Sequence, residues 1–171
     1  MKFALASVVL ACTVSGCAHY ESSLPADYTG PKAFIEDTSK IHSSRHAELF
    51  FLTHVDGREI QDSRSKTLGR NRGRGFMMDA VTSVNPVPAH PVVLTLKART
   101  LYAAPILELM NDIYQVSGEV TFTPIEGKTY QVKGQLGEGY SAVWLEDSES
   151  HAVVGEKLEA KGSAKLGFMQ K

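Results

Sequence analysis

Three groups of side chains in this 171-residue sequence have types and spacings that bear on chemistry. The first is the run Arg64-Ser65-Lys66-Thr67-Leu68-Gly69-Arg70-Asn71-Arg72-Gly73-Arg74. Here Arg64, Lys66, Arg70, Arg72 and Arg74 carry five positive charges with no acidic residue among them. Guanidinium forks grip phosphates and carboxylates through paired N–H donors, so the run is a candidate anion-binding site. With Gly69, Gly73 and Gly75 interspersed it reads as a mobile loop, and the plainer alternative is a solvated loop kept soluble by charge. The whole chain balances 18 Lys and Arg against 19 Asp and Glu, and so near-neutral a chain is not that of a dedicated nucleic-acid binder.

The second group is the histidines and the Asp147-Ser148-His151 turn. His42 and His46 are four apart, a spacing that aligns side chains on a helix. Ser43, Ser44 and the strand-like run after Arg45 disfavour a helix there. His46 and His54 on one strand would stand about 26 Å apart at ~3.3 Å per residue, too far to share a metal. Asp147, Ser148 and His151 include the residue types of a hydrolytic triad, but a triad is defined by geometry, and this stretch reads as a solvated turn. The third group is Trp144 with Tyr130 and Tyr140, a sugar-stacking platform if they face outward. A single Trp inside a strand reads more simply as a core anchor. Its neighbours Glu146 and Asp147 point to opposite faces of a strand, which disfavours them as a paired acid and base. The sequence holds no Gly-x-Ser-x-Gly, His-Glu-x-x-His or Gly-Lys-Ser motif and no cysteine pair at metal spacing, so no catalytic residue, metal ligand or cofactor is assigned.

The two cysteines, Cys12 and Cys17, both lie near the N-terminus and leave the body of the chain without a disulfide. Lys2 precedes an apolar run from Phe3 to Val14, about 18 Å as a helix and short of the ~30 Å a membrane span needs, which reads as a secretory signal. It ends in Val14-Ser15-Gly16-Cys17, which resembles the lipobox of bacterial lipoproteins. The resemblance implies cleavage between Gly16 and Cys17, a thioether-linked diacylglycerol on Cys17 and, in many such bacteria, a third acyl chain on the new amine. Ala18, where Asp is absent, resembles the outer-membrane default. The other reading is an ordinary signal peptide cut elsewhere, with Cys17 an unmodified thiol.

Residues 17–32 carry Pro25 and Pro31 and little apolar periodicity, and read as a lipidated flexible tether with a reach of about 20 Å. The domain proper is then 33–171. Val116, Val120 and Phe122 alternate with polar residues, as do Tyr130, Val132 and Leu136. The Pro124–Lys128 stretch between them predicts an antiparallel hairpin. Further strands are predicted at 33–36, 47–55, 92–99, 141–146 and 152–158. Ile106, Leu109, Met110 and Ile113, behind Pro105, predict a short helix covering one end. Short strands at regular spacing predict an all-β fold, an antiparallel two-layer sandwich that resembles immunoglobulin-like and transthyretin-like domains.

The expected function is that of a non-catalytic lipoprotein of the bacterial cell envelope, membrane-held through its lipid, in the outer membrane by preference. Its sandwich would bind an envelope partner: a protein, anionic lipid or peptidoglycan, but not nucleic acid. The alternative is a surface carbohydrate-active or hydrolytic enzyme.

Overall fold

The computed structural model describes residues 20–171. Cys12, Gly16 and Cys17, and with them the signal and lipidation expectations, lie outside the described residues. The described chain is an all-β sandwich of two sheets with two short helices. The strands are β1 (Lys32–Glu36), β2 (Thr38–Ser43), β3 (His46–Val55), β4 (Arg58–Glu59), β5 (Val84–Pro88), β6 (Val92–Tyr102), β7 (Gln115–Phe122), β8 (Thr129–Gln135), β9 (Tyr140–Asp147) and β10 (Val153–Lys161). The helices are α1 (Ser63–Arg70), α2 (Pro105–Met110) and a final 3-10 turn, Phe168–Gln170. One sheet runs β10-β9-β8-β1-β5, and the other runs β2-β3-β6-β7 with β4 beside β3. All pairings are antiparallel except β1 with β8, which is parallel.

Alternation decides which side chains meet between the sheets. Along β6, Val92, Leu94, Leu96 and Ala98 all point inward and are buried, as their period-two spacing requires. They pack with Phe50 and Leu52 of β3, Val120 of β7, Ile35 of β1 and Val132, Val143 and Leu145 of the facing sheet. Strand β3 is apolar on both faces because both are covered. On its outer side Ala47, Leu49 and Phe51 pack with Leu101 and with Met78, from the segment that follows α1. Pro86 and Pro88 lie in β5 at one sheet edge, where a missing N–H discourages further pairing.

Four sequence expectations are corrected. The strands 116–122 and 130–136 exist but form no hairpin: β7 pairs with β6 and β8 with β1 and β9, so Pro124–Lys128 carries the chain from one sheet to the other. Period-two alternation names a strand's faces and not its neighbours. The basic run is not a mobile loop but α1 followed by pinned turns. Residues 20–31, read as part of a flexible tether, lie on the domain: the Glu21 N–H donates to the Glu59 carbonyl (2.9 Å), and Arg58 donates to the carbonyls of Ser22 and Ser23. Finally, α2 forms behind Pro105 but buries none of its residues; only Ile113, beyond its end, enters the interior.

Candidate functional site

The five basic candidates are positioned by a helix the apolar pattern could not announce, because its inward face is polar. The Asp62 side chain caps α1 by accepting the Ser65 N–H at 2.7 Å. Ser63 and Thr67, four apart, are both fully buried. Ser63 donates to Asp37, while Thr67 exchanges hydrogen bonds with the Val81 backbone. Past the helix, Asn71 ties the turns together: its amide donates to the carbonyls of Thr67 (2.7 Å) and Asp79 (2.8 Å), and its oxygen accepts from the Asp79 N–H and from Arg74.

This scaffold separates the candidates. Lys66 turns inward, donating to Ser83 Oγ at 2.7 Å. Arg74 is ion-paired with Asp79, whose carboxyl it holds below the usual range. Arg64 is half-buried and its Nε has no partner. Arg70 and Arg72 are exposed, and among the described residues their side chains make no hydrogen bond or ion pair. The anion-binding capacity of the segment therefore rests on two of the five.

Around them lies an apolar surface. Leu68, Phe76 and Met77 are exposed, and the Arg45 guanidinium stands 6.0 Å from the Phe76 ring centre. A groove of about 650 Å³ separates α1 from the start of α2, lined by Ser65, Leu68, Arg72, Met78, Tyr102 and Pro105. Beyond it Ile106, Leu109 and Met110 of α2 are exposed. The adjacent Phe76-Met77-Met78 triplet, directly after the basic run, was the signal in the sequence that this region is more than a charged loop.

The other candidates fall elsewhere. Trp144 is not a core anchor: it lies half-buried on the outward face of β9, its indole N–H donating to Glu146 at 2.8 Å and its ring covered by Lys157 Nζ at 4.4 Å. A bulge in β10, with Gly155 at φ 71°, lets Lys157 fold back onto it. Tyr130 is buried, and Tyr140 donates to Glu159. Asp147 is buried and accepts from the Ser150 N–H above all, from Lys128, and from the Ser150 hydroxyl and Glu149 N–H, contacts that hold its carboxyl far below the usual range. Ser148 bonds the Thr129 carbonyl, so this turn is a local tie.

The β2–β3 turn stacks His42 on His46 (4.5 Å between ring centres), and His46 stacks on Tyr102 of β6 (4.7 Å). Four-residue spacing thus brings the two histidines together through a hairpin. Partial burial and the neighbouring His42 lower the proton affinity of His46, and Glu48 opposes them. Among the described residues no three His, Cys, Asp or Glu side chains are grouped to hold a metal ion, and no helix is long and apolar enough to cross a membrane. No family model matches the chain, and neither a curated protein nor a solved structure matches it.

Proposed function

We propose that this protein is a lipoprotein of the bacterial cell envelope, anchored through fatty chains on Cys17, whose sandwich is a non-catalytic binding domain for an anionic envelope component. The observation that carries this reading is Val14-Ser15-Gly16-Cys17 at the end of a short apolar run. Two or three acyl chains hold a protein in a bilayer where a single chain of myristoyl length gives only about 10⁴ M⁻¹. The exposed Arg70 and Arg72 supply the anion-binding groups. Residence in the outer membrane follows from the absence of Asp after the cysteine. The carbohydrate-active alternative draws on the outward Trp144, but Lys157 occupies the indole face a sugar ring would need.

Mass spectrometry of the mature N-terminal peptide, combined with membrane fractionation, tests the anchor. The expected result is a chain beginning at Cys17 with a diacylglyceryl thioether, sedimenting with membranes, and a Cys17→Ser variant that is no longer lipidated. A mature protein that begins at another residue with Cys17 absent or unmodified overturns the proposal.

A further inference from the structure

We infer that the end of the sandwich formed by α1, residues 71–77 and α2 lies against the bilayer that holds Cys17, with the anionic phospholipid headgroups of that membrane as its ligand. The inference rests on the lipid-anchor reading and adds an orientation and a partner to it. Its first support is where the described chain begins. The Tyr20 hydroxyl stands 3.5 Å from Ser65 Oγ in the first turn of α1, and Glu21 is bonded to Glu59 just before that helix, so the chain lies against the start of α1 from its first described residues. Cys17 and Tyr20 are three residue steps apart, at most about 11 Å of extended chain. A cysteine tied into the headgroup region therefore brings α1 to the membrane surface.

The second support is what that end displays. Leu68, Phe76 and Met77, on α1 and the segment after it, and Ile106, Leu109 and Met110 of α2 are all exposed, Met77 to 58% and Met110 to 76%. The 3-10 turn adds Phe168 and Met169, held beside α2 by Lys171 Nζ, which donates to the carbonyls of Leu109 (3.3 Å) and Asn111 (2.6 Å). Most of the large exposed apolar side chains of the domain thus gather at one end. The charges among them are complementary to a phosphate surface. Asp79 is neutralised by Arg74 and Asp112 by Lys165, which leaves the exposed Arg45, Arg70 and Arg72 without an ion pair among the described residues, against one unpaired carboxylate, the partly buried Glu108 of α2. Apolar side chains set at headgroup depth with arginines beside them is the arrangement by which a surface segment rests in a membrane interface. Each such arginine strengthens contact with an anionic leaflet by about fivefold.

Cys12 and Cys17 are the chain's two cysteines, so in the mature lipoprotein the one sulfur is blocked as a thioether. A Met77→Cys or Met110→Cys substitution then gives a single thiol for an environment-sensitive fluorophore. The control is Ile125→Cys, equally exposed but beyond Phe122, which pairs with Val92 at the far end of β6, roughly 30 Å from Tyr102. Full-length lipidated protein is reconstituted in phosphatidylethanolamine vesicles containing phosphatidylglycerol. Probes at 77 and 110 should emit to the blue and be quenched by headgroup-depth nitroxide lipids, while the probe at 125 should not. High salt, or the Arg70→Ser, Arg72→Ser pair, should lower the docked-to-free ratio by about 25-fold. Equal quenching at 77, 110 and 125, or water-like emission at 77 and 110, in protein whose Cys17 is lipidated by mass overturns the inference and leaves the anchor standing. A Cys17 thiol that itself takes up the fluorophore overturns the anchor reading.

Discussion

Asp37 occupies the single residue between β1 and β2, where the chain leaves one sheet for the other, and its carboxylate does the work of a missing strand partner. It is 1% exposed. Oδ1 accepts the Leu52 N–H (3.0 Å) and the Asn85 amide (3.3 Å), and Oδ2 accepts the Ser63 hydroxyl (2.5 Å). One side chain thus ties β3, β5 and α1 together. Burial pushes its pKa up to about 7, against the opposing pull of those hydrogen bonds and the charge of Lys66. The folded state therefore holds a proton that the unfolded chain releases near pH 4, so this group's contribution to stability is greatest below pH 4. It falls as pH rises to about 7 and is flat beyond. Asp37→Asn keeps every partner, since its oxygen still takes Leu52 and Asn85 while its amide donates to Ser63. Denaturant unfolding at stepped pH should show the wild type losing on the order of 4 kcal/mol from this group between pH 4 and pH 7, at ~1.4 kcal/mol per pKa unit. The variant should lack that slope and be the more stable above pH 7; parallel profiles would refute the assignment.

At the scale of elements, the two sheets approach closely because β8 carries a glycine where β3 carries a phenylalanine. A Cβ on Gly134 would collide with the Phe50 ring and come within 2.7 Å of the Ala142 carbonyl oxygen, a backbone atom that cannot yield. Gly118 in β7 is different: there a Cβ meets only the Leu158 side chain, at 3.1 Å, and that side chain can turn. Gly134→Ala should cost about 1–3 kcal/mol, a fall in Tm of roughly 3 to 10 °C, while Gly118→Ala should cost much less. A thermal melt in which the two variants match would show that β3 and β8 are not packed as described. The same elements explain what the sequence could tell. Strand β6 was legible because alternating apolar residues report a buried face, and β3, β9 and β10 because short apolar runs end at the turn residues Asp56-Gly57, Gly137–Gly139 and Asp147–Ser150. The pairing of β7 and β8 was not, since partners are chosen by contacts distant in sequence. Helix α1 was hidden because its inward residues are Ser63, bonded to the buried Asp37 carboxylate, and Thr67, bonded to the Val81 backbone, so its stripe is polar. Of the site, the charges were visible in the sequence. Their sorting into paired Arg74, inward Lys66 and free Arg70 and Arg72 required Asp79, Ser83 and Asn71 to be placed in space.

At the scale of the molecule, the chain passes between the sheets four times: from β1 to β2, through α1 from β4 to β5, from β5 to β6, and from β7 to β8. Strand β1 lies inside one sheet, between β5 and β8, yet both partners lie well beyond it in sequence, and β8 joins it in parallel. Neither sheet can be completed from a continuous stretch of chain, and the core between them is a single cluster drawn from both. The sheets should therefore lose structure together. Trp144, the one tryptophan, sits on β9 and reports on its sheet alone, whereas far-ultraviolet circular dichroism reports on both. The expected outcome in urea is coincident midpoints and slopes for the two signals. Refolding should fall in the millisecond-to-second range typical of chains dominated by non-local strand pairing. A dichroism transition that precedes the Trp144 transition would mean that β2-β3-β6-β7 opens by itself. In that case the four crossings would not bind the two layers into one cooperative unit.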